Sequence, residues 1–244
     1  MNAFTSSRSD QYSWDNAYSR ELINHEDDAD DEGTVWFSES NAESAISKVL
    51  GKLASKGLLD RGARDPSTEQ STPRSGARFL DLGTGNGHLL HHLQEEDDDD
   101  EIWAGEMVGV DYSETSVDLA RRIAQQKGAS SISFELWDLL AEAPGDWLKT
   151  GFDVVLDKGT FDAISLMESV EGAGHPCEVY RDKVVPLVKY GGFLVVTSCN
   201  WTKTELLEWL ACEQLRFYDE ATYRTFTFGG QTGQSIVTLV FKRD

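Results

Sequence analysis

With 244 residues, 39% of them hydrophobic, the chain is long enough to bury the core of one α/β domain with extensions, and two full domains would be cramped. Its formal net charge of −21 repels phosphate backbones, so nucleic acid is a poor default partner; a basic protein would be steered toward it, unless the acidity serves only solubility. No apolar run approaches the roughly 20 residues of a membrane helix and residues 1–12 lack an apolar signal core. Three cysteines, Cys177, Cys199 and Cys212, have no C-x-x-C spacing and imply reduced thiols, so a cytoplasmic protein, also nuclear in reach, is expected, away from membranes.

Residues 1–11 are polar and read as a disordered tail, 12–60 as a helical N-terminal extension, 61–77 as a linker and 78–244 as the core. In the extension Trp14 and Tyr18 stand one helical turn apart, and residues 24–32 form an acidic loop. Ser40 with Glu43 has capping-box spacing ahead of an apolar helical stripe, Ile46, Val49, Leu50 and Leu53. The preceding Trp36-Phe37 pair is a hydrophobic plug or a pocket wall, and pattern alone favours the plug. In the core, a strand over 79–82 runs through a glycine turn into a helix over 86–93. Residues 95–101 are a like-charge block that suits a solvated insertion better than a contact with a basic partner. Strands follow at 107–111, 132–136, 152–156 and 192–197, with helices at 114–127 and 180–188, the latter kinked by Pro186. Thr202 and Glu205 repeat the capping box before Leu206, Leu207 and Leu210, and runs at 216–228 and 235–241 make a closing antiparallel hairpin. His88, His91 and His92 share a helix side, but no Cys/His cluster matches them, so no metal site is expected. Alternation of strand and helix predicts a three-layer, doubly wound, mostly parallel seven-stranded sheet of Rossmann-like type with an antiparallel C-terminal hairpin.

Ligands of such sheets bind beyond the carboxyl ends of the strands, and four strand ends carry suitable chemistry. The first is Asp81 followed by Gly83-Thr84-Gly85-Asn86-Gly87, a cradle in which glycines let a ligand approach the backbone and a helix N-terminus faces the same space. Its G-x-G-x-G spacing departs from the G-x-G-x-x-G of dinucleotide enzymes. Asp111, at the second, can accept both ribose hydroxyls or simply cap the next helix, and Tyr112 beside it covers an adenine or the sheet edge. Asp138 with Leu139 stands where an adenine amino group would arrive. Asp157, at the fourth, lies nearest a methyl donor. Lys158 is a surface charge or a partner of Asp157. No Arg or Lys flanks the glycine turn to compensate a pyrophosphate, whereas the sulfonium and ammonium of S-adenosylmethionine (SAM) suit acidic residues. The strand-four end also lacks the proline motif of enzymes that methylate nucleobase amines.

Several segments together resemble the METTL10/Efm4-type protein-lysine methyltransferases: Trp14-Asp15, Val35-Trp36-Phe37, L-D-L-G-T-G-N-G from Leu80, Gly109-Val110-Asp111-Tyr112-Ser113, D-K-G-T-F-D-A-I from Asp157, and Ser198-Cys199-Asn200-Trp201-Thr202. The likeness spans roughly residues 12–242. It implies transfer of the SAM methyl to a lysine of translation elongation factor 1-alpha; a monomer is expected. It also implies that Trp36 closes over the cofactor, that Ser113 joins Asp111 and Tyr112 in the cofactor site, and that Asp157, Lys158 and Phe161 form the catalytic end, with Asp157→Ala abolishing transfer while leaving the fold intact. A small-molecule methyltransferase, a non-catalytic binding protein on the same fold and, third, an NAD enzyme are the rival readings.

Overall fold

The computed structural model describes residues 8–62, 76–95, 102–167, 175–224, 226–228, 231–233 and 235–244. Most of the linker and of the acidic insertion lies outside them. Short, continuous apolar runs set the centre of the molecule: β1 (Phe79–Leu82), β2 (Met107–Asp111) and β3 (Ile132–Leu136) fall within the predicted limits, while β4 (Phe152–Lys158) and β5 (Val188–Ser198) run longer. After β6 (Leu215–Glu220) come two short strands, β7 (Phe226–Phe228) and β8 (Gln231–Gly233), and then β9 (Val237–Arg243). The seven-stranded sheet has the order β3-β2-β1-β4-β5-β9-β6, parallel from β3 to β5 and antiparallel at β9 and β6. The expected closing hairpin is therefore present as β6 and β9. Its connection carries the β7–β8 ribbon; the sequence reading merged β7 with the first arm and took β8 as part of the turn.

Because successive side chains of a strand point to opposite faces, each strand feeds two cores. Phe79, Val154 and Leu156 pack with α2 (Ala42–Ser55), α3 (His88–Gln94) and α4 (Glu114–Lys127). Leu80, Leu82 and Val155 face the opposite layer of α5 (Thr160–Ser165), α6 (Pro176–Val184) and α7 (Lys203–Leu210). Ile46, Val49, Leu50 and Leu53 of α2 are at most 1% exposed, and each such burial contributes about 1.5–3 kcal/mol. α1 (Arg8–Asp27) precedes them and lies on α4. It takes in residues 8–11, expected as tail, and 24–27, expected as loop. Arg122 reaching Glu26 at 2.6 Å and Gln126 donating to the Ala29 carbonyl tie its end down.

Two local expectations change. The helix over 180–188 stops at Val184: Pro186 sits in a tight turn at 185–187, and Val188 already belongs to β5. The box at Ser40 does not form, since Asn41 is the N-cap of α2 with no side-chain cap, and the Glu43 carboxylate is instead 2.7 Å from His88 Nδ1. The box at Thr202 and Glu205 does form. Among the described residues, no helix is long and apolar enough to cross a membrane.

Candidate cofactor and acceptor site

The strand order reverses between β1 and β4, and the two strand ends there frame the site. The turn after β1 needs its glycines: Gly83 has φ +59°, and a Cβ on it would collide with the Thr160 hydroxyl that donates to the Leu82 carbonyl at 2.6 Å. A Cβ on Gly85, at φ +58°, would stand 2.7 Å from the Tyr18 hydroxyl. Asp111 braces this turn from the neighbouring strand, accepting from Gly85 N and from Ser113 N at 3.0 Å each. Ser113, the N-cap of α4, donates through its hydroxyl to Asp15 at 2.6 Å and so fastens α1 over the site.

A cavity of about 380 Å³ opens here, within the size range of small-molecule sites. Tyr112, Trp137, Asp138 and Leu139 wall one side, and Trp36 and Phe37 cover another. Asp138 also shapes its own loop, Oδ1 accepting from Leu140 N at 2.9 Å and Ala141 N at 3.1 Å. A small polar recess beside it is bounded by Asp81, Gly83, Thr84, Gly85 and Asn86. Trp36, Tyr18, Gly83 and Lys158 border both spaces, so Trp36 is a wall and not a plug. Asn86 turns most of its hydrogen bonding outward, donating to the carbonyls of Glu32 (2.8 Å) and Thr34 (3.3 Å) and accepting from His88 N. Its side chain thereby anchors the segment carrying Trp36. Ser113 and Gly87 are placed at helix N-termini behind the cavity and do not line it.

The expected catalytic trio does not meet in the cavity. β4 alternates, so Asp157 follows Val155 toward the α5–α6 layer, where it is 1% exposed and accepts from Thr160 N, Phe161 N and the Tyr180 hydroxyl. Its carboxylate starts α5 and touches no cavity surface. Phe161 is fully buried against Tyr180 and Trp201. Lys158 alone reaches the cavity; it points to the other face and meets Glu43 at 3.4 Å and the Trp36 carbonyl at 3.1 Å, not Asp157. Sequence reasoning did not single out the wall residues Tyr18 and Asp162, and it left Phe37 open between plug and pocket wall. Asp162, 6% exposed, accepts from the Ser198 hydroxyl (2.5 Å) and Cys199 N (2.8 Å), and the one-residue parity of β4 together with the turn of α5 was the signal for it.

Electrostatics decide what the site suits. Burial pushes the Asp81 carboxyl from its ordinary 3.8 to about 7, with only the Thr84 hydroxyl, at 2.8 Å, and more distant Lys158 working against it. Asp111 is raised too, again by burial, which outweighs its two backbone donors. The Tyr18 hydroxyl is driven well above its usual 10 by burial and then by Asp111 and Glu21. Buried carboxylates short of positive partners fit a cationic occupant and reject a pyrophosphate. SAM, whose ammonium and sulfonium supply that charge, fits: Asp81 would hold the ammonium, Asp111 the ribose, and Asp138 with Leu139 the adenine.

The family model described as a methyltransferase domain matches residues 73–243. The chain is 36% identical to the protein-lysine N-methyltransferase EFM4 of Saccharomyces cerevisiae across 93% of this chain and 91% of that one. It is 33% identical to EEF1A lysine methyltransferase 2 of Homo sapiens, across 94% and 84%. The chain belongs to this family of protein-lysine methyltransferases. In fold it is similar to magnesium protoporphyrin IX methyltransferase from Synechocystis PCC 6803, solved with bound SAM, at a TM-score of 0.58 and 14% identity over 99% of this chain and 100% of that one. Family and fold agree with the expectation from the sequence, and SAM is the cofactor of the methyltransferase.

Proposed function

We propose that this enzyme methylates a lysine ε-amine of translation elongation factor 1-alpha. The observation that carries the reading is likeness over nearly the whole chain to relatives named for that substrate. The net charge of −21 supports a basic protein partner, and no feature of the site calls for nucleic acid. The enzyme then works as a monomer beside its substrate in the cytoplasm, with the nucleus as a second compartment.

Bound SAM supplies an electrophilic methyl group; the chain must bring it a neutral amine. Deprotonating a lysine of ordinary pKa at neutral pH costs on the order of 4 kcal/mol. Trp14, Trp36 and Phe37 offer an apolar entrance that strips water from the ammonium and lowers this cost. At the β4–β5 end, Asp162 and Asn200 line the same cavity. Asp162 accepts an N–H of the amine, which orients the lone pair, and its charge then stabilises the cation that forms on nitrogen. The proton leaves to solvent before transfer. Asp157 contributes indirectly by fixing the start of α5 and hence the position of Asp162. Incubating the enzyme with methyl-labelled SAM in an extract tests the acceptor class: label should enter a protein of the size of elongation factor 1-alpha, and label confined to soluble metabolites would favour a small-molecule methyltransferase.

A further inference from the structure

Lys158, at the end of β4, and Glu43, in the first turn of α2, form a nearly buried ion pair against the segment that covers the candidate cofactor site, with side chains 12% and 10% exposed. Such a pair adds little stability for the charges it buries, since desolvation cancels most of the attraction. Its geometry shows another use. Lys158 leaves the end of β4, and its ammonium donates to the backbone carbonyl of Trp36 at 3.1 Å while facing Glu43 at 3.4 Å. Glu43, from α2, holds His88 of α3 with its other oxygen at 2.7 Å. Burial would raise the Glu43 carboxyl, but the His88 hydrogen bond and the Lys158 charge outweigh it and keep the group below its ordinary 4.5. One carboxylate thus joins two helices to the strand end that meets the cofactor.

The strap, residues 32–41, is shaped for such a fastening. Phe37 and Asn41 adopt φ of 63° and 50°, left-handed conformations that cost energy for residues other than glycine and persist when their surroundings hold them. Phe37 seats against Gly159, where a Cβ would come within 3.1 Å of its ring. Trp36 meets Trp14 edge to face at 5.0 Å, and Asn86 takes the carbonyls of Glu32 and Thr34. The strap crosses the cavity between these anchors. An ammonium already spent on a carboxylate and a carbonyl has no lone pair with which to accept a proton from the substrate.

We propose that Lys158 and Glu43 are positioning residues: their ion pair, closed on the Trp36 carbonyl, clasps the strap over the cofactor and sets how long it stays bound. Lys158→Met and Glu43→Gln remove the clasp from either side. In stopped-flow displacement of S-adenosylhomocysteine, both should release ligand roughly tenfold faster than the wild type, Lys158→Met by losing the charge-assisted hydrogen bond to the Trp36 carbonyl and Glu43→Gln by losing the ion pair that aims it. The loss should fall mainly on KM for SAM, less on single-turnover rate at saturating SAM, and ligand should no longer shield the strap from limited proteolysis. Lys158→Arg should restore most of the residence time and serves as the folded control, with melting temperature recorded for every variant. Release rates within twofold of wild type in folded variants overturn the proposal. So does a loss confined to the single-turnover rate, which would give Lys158 a part in the chemistry itself.

Discussion

Lowering the pH below 7 should weaken cofactor binding through a single carboxyl. Asp81 is 3% exposed, and burial raises it to about 7. A bound ammonium favours the ionised form, so the free protein must shed a proton to accept the cofactor, and affinity should fall roughly tenfold for each pH unit below 7. Calorimetry with S-adenosylhomocysteine, which keeps the ammonium and cannot transfer a methyl, measures this between about pH 5.5 and 7.5, below the range in which an α-amine sheds its own proton. Asp81→Asn should bind more weakly at neutral pH and lose the slope. The same carboxyl acts on stability with the opposite sense. Its folded value lies above the ordinary 3.8, so its contribution is complete below that value and is lost as pH rises through about 7, amounting to roughly 4 kcal/mol over the window. Asp157, also raised to about 7 by burial, adds to the trend. The free enzyme should therefore melt lower at pH 8 than at pH 6, while the ligand-induced rise in melting temperature grows. Flat affinity from pH 5.5 to 7 in the wild type, or an unchanged slope in Asp81→Asn, would refute the assignment of Asp81 to the ammonium.

Other perturbations separate structural from chemical roles. Asp157→Ala strands the buried donors of Thr160, Phe161 and Tyr180, and should cost several kcal/mol in urea unfolding, at about 1–3 for each orphaned group; unaltered stability would contradict its placement behind the site. Asp162→Asn should lower the single-turnover rate at least tenfold with SAM affinity intact, a split readable by rapid quench and calorimetry. Gly83→Ala forces a Cβ into Thr160 at a positive φ, so SAM binding by calorimetry should be lost. Thr202→Ala should destabilise by about 1 kcal/mol through loss of the capping box at α7, with activity retained.

Most of the sheet could be read in the sequence because continuous apolar runs bounded by glycine or aspartate have few alternatives: β1, β2, β3 and α4 begin and end where predicted. α1 was legible only as an aromatic pair; polar contacts, Asp15 with Ser113 and Glu26 with Arg122, fasten it to α4, and such contacts leave no periodic signature in sequence. Two identical-looking capping boxes came out differently because Glu43 has stronger partners in His88 and Lys158 than its own helix offers, whereas Glu205 has solvent around it. The strand ends identified the site, but type of residue outweighed direction in choosing its catalytic members. Asp157 and Lys158 are neighbours in sequence and face opposite layers, so the acidic group that reaches the cavity from this strand end is Asp162, in the first turn of α5. Asn86, read as part of the cradle, holds the strap because the fold returns residues 32–34 to it.

The most direct test of the central claim is peptide mapping by mass spectrometry of purified, unmethylated elongation factor 1-alpha after incubation with this enzyme and SAM. The account predicts methyl groups on a single lysine, absent without SAM and strongly reduced with Asp162→Asn. An unmodified elongation factor, with an enzyme that binds SAM and is folded, would contradict it.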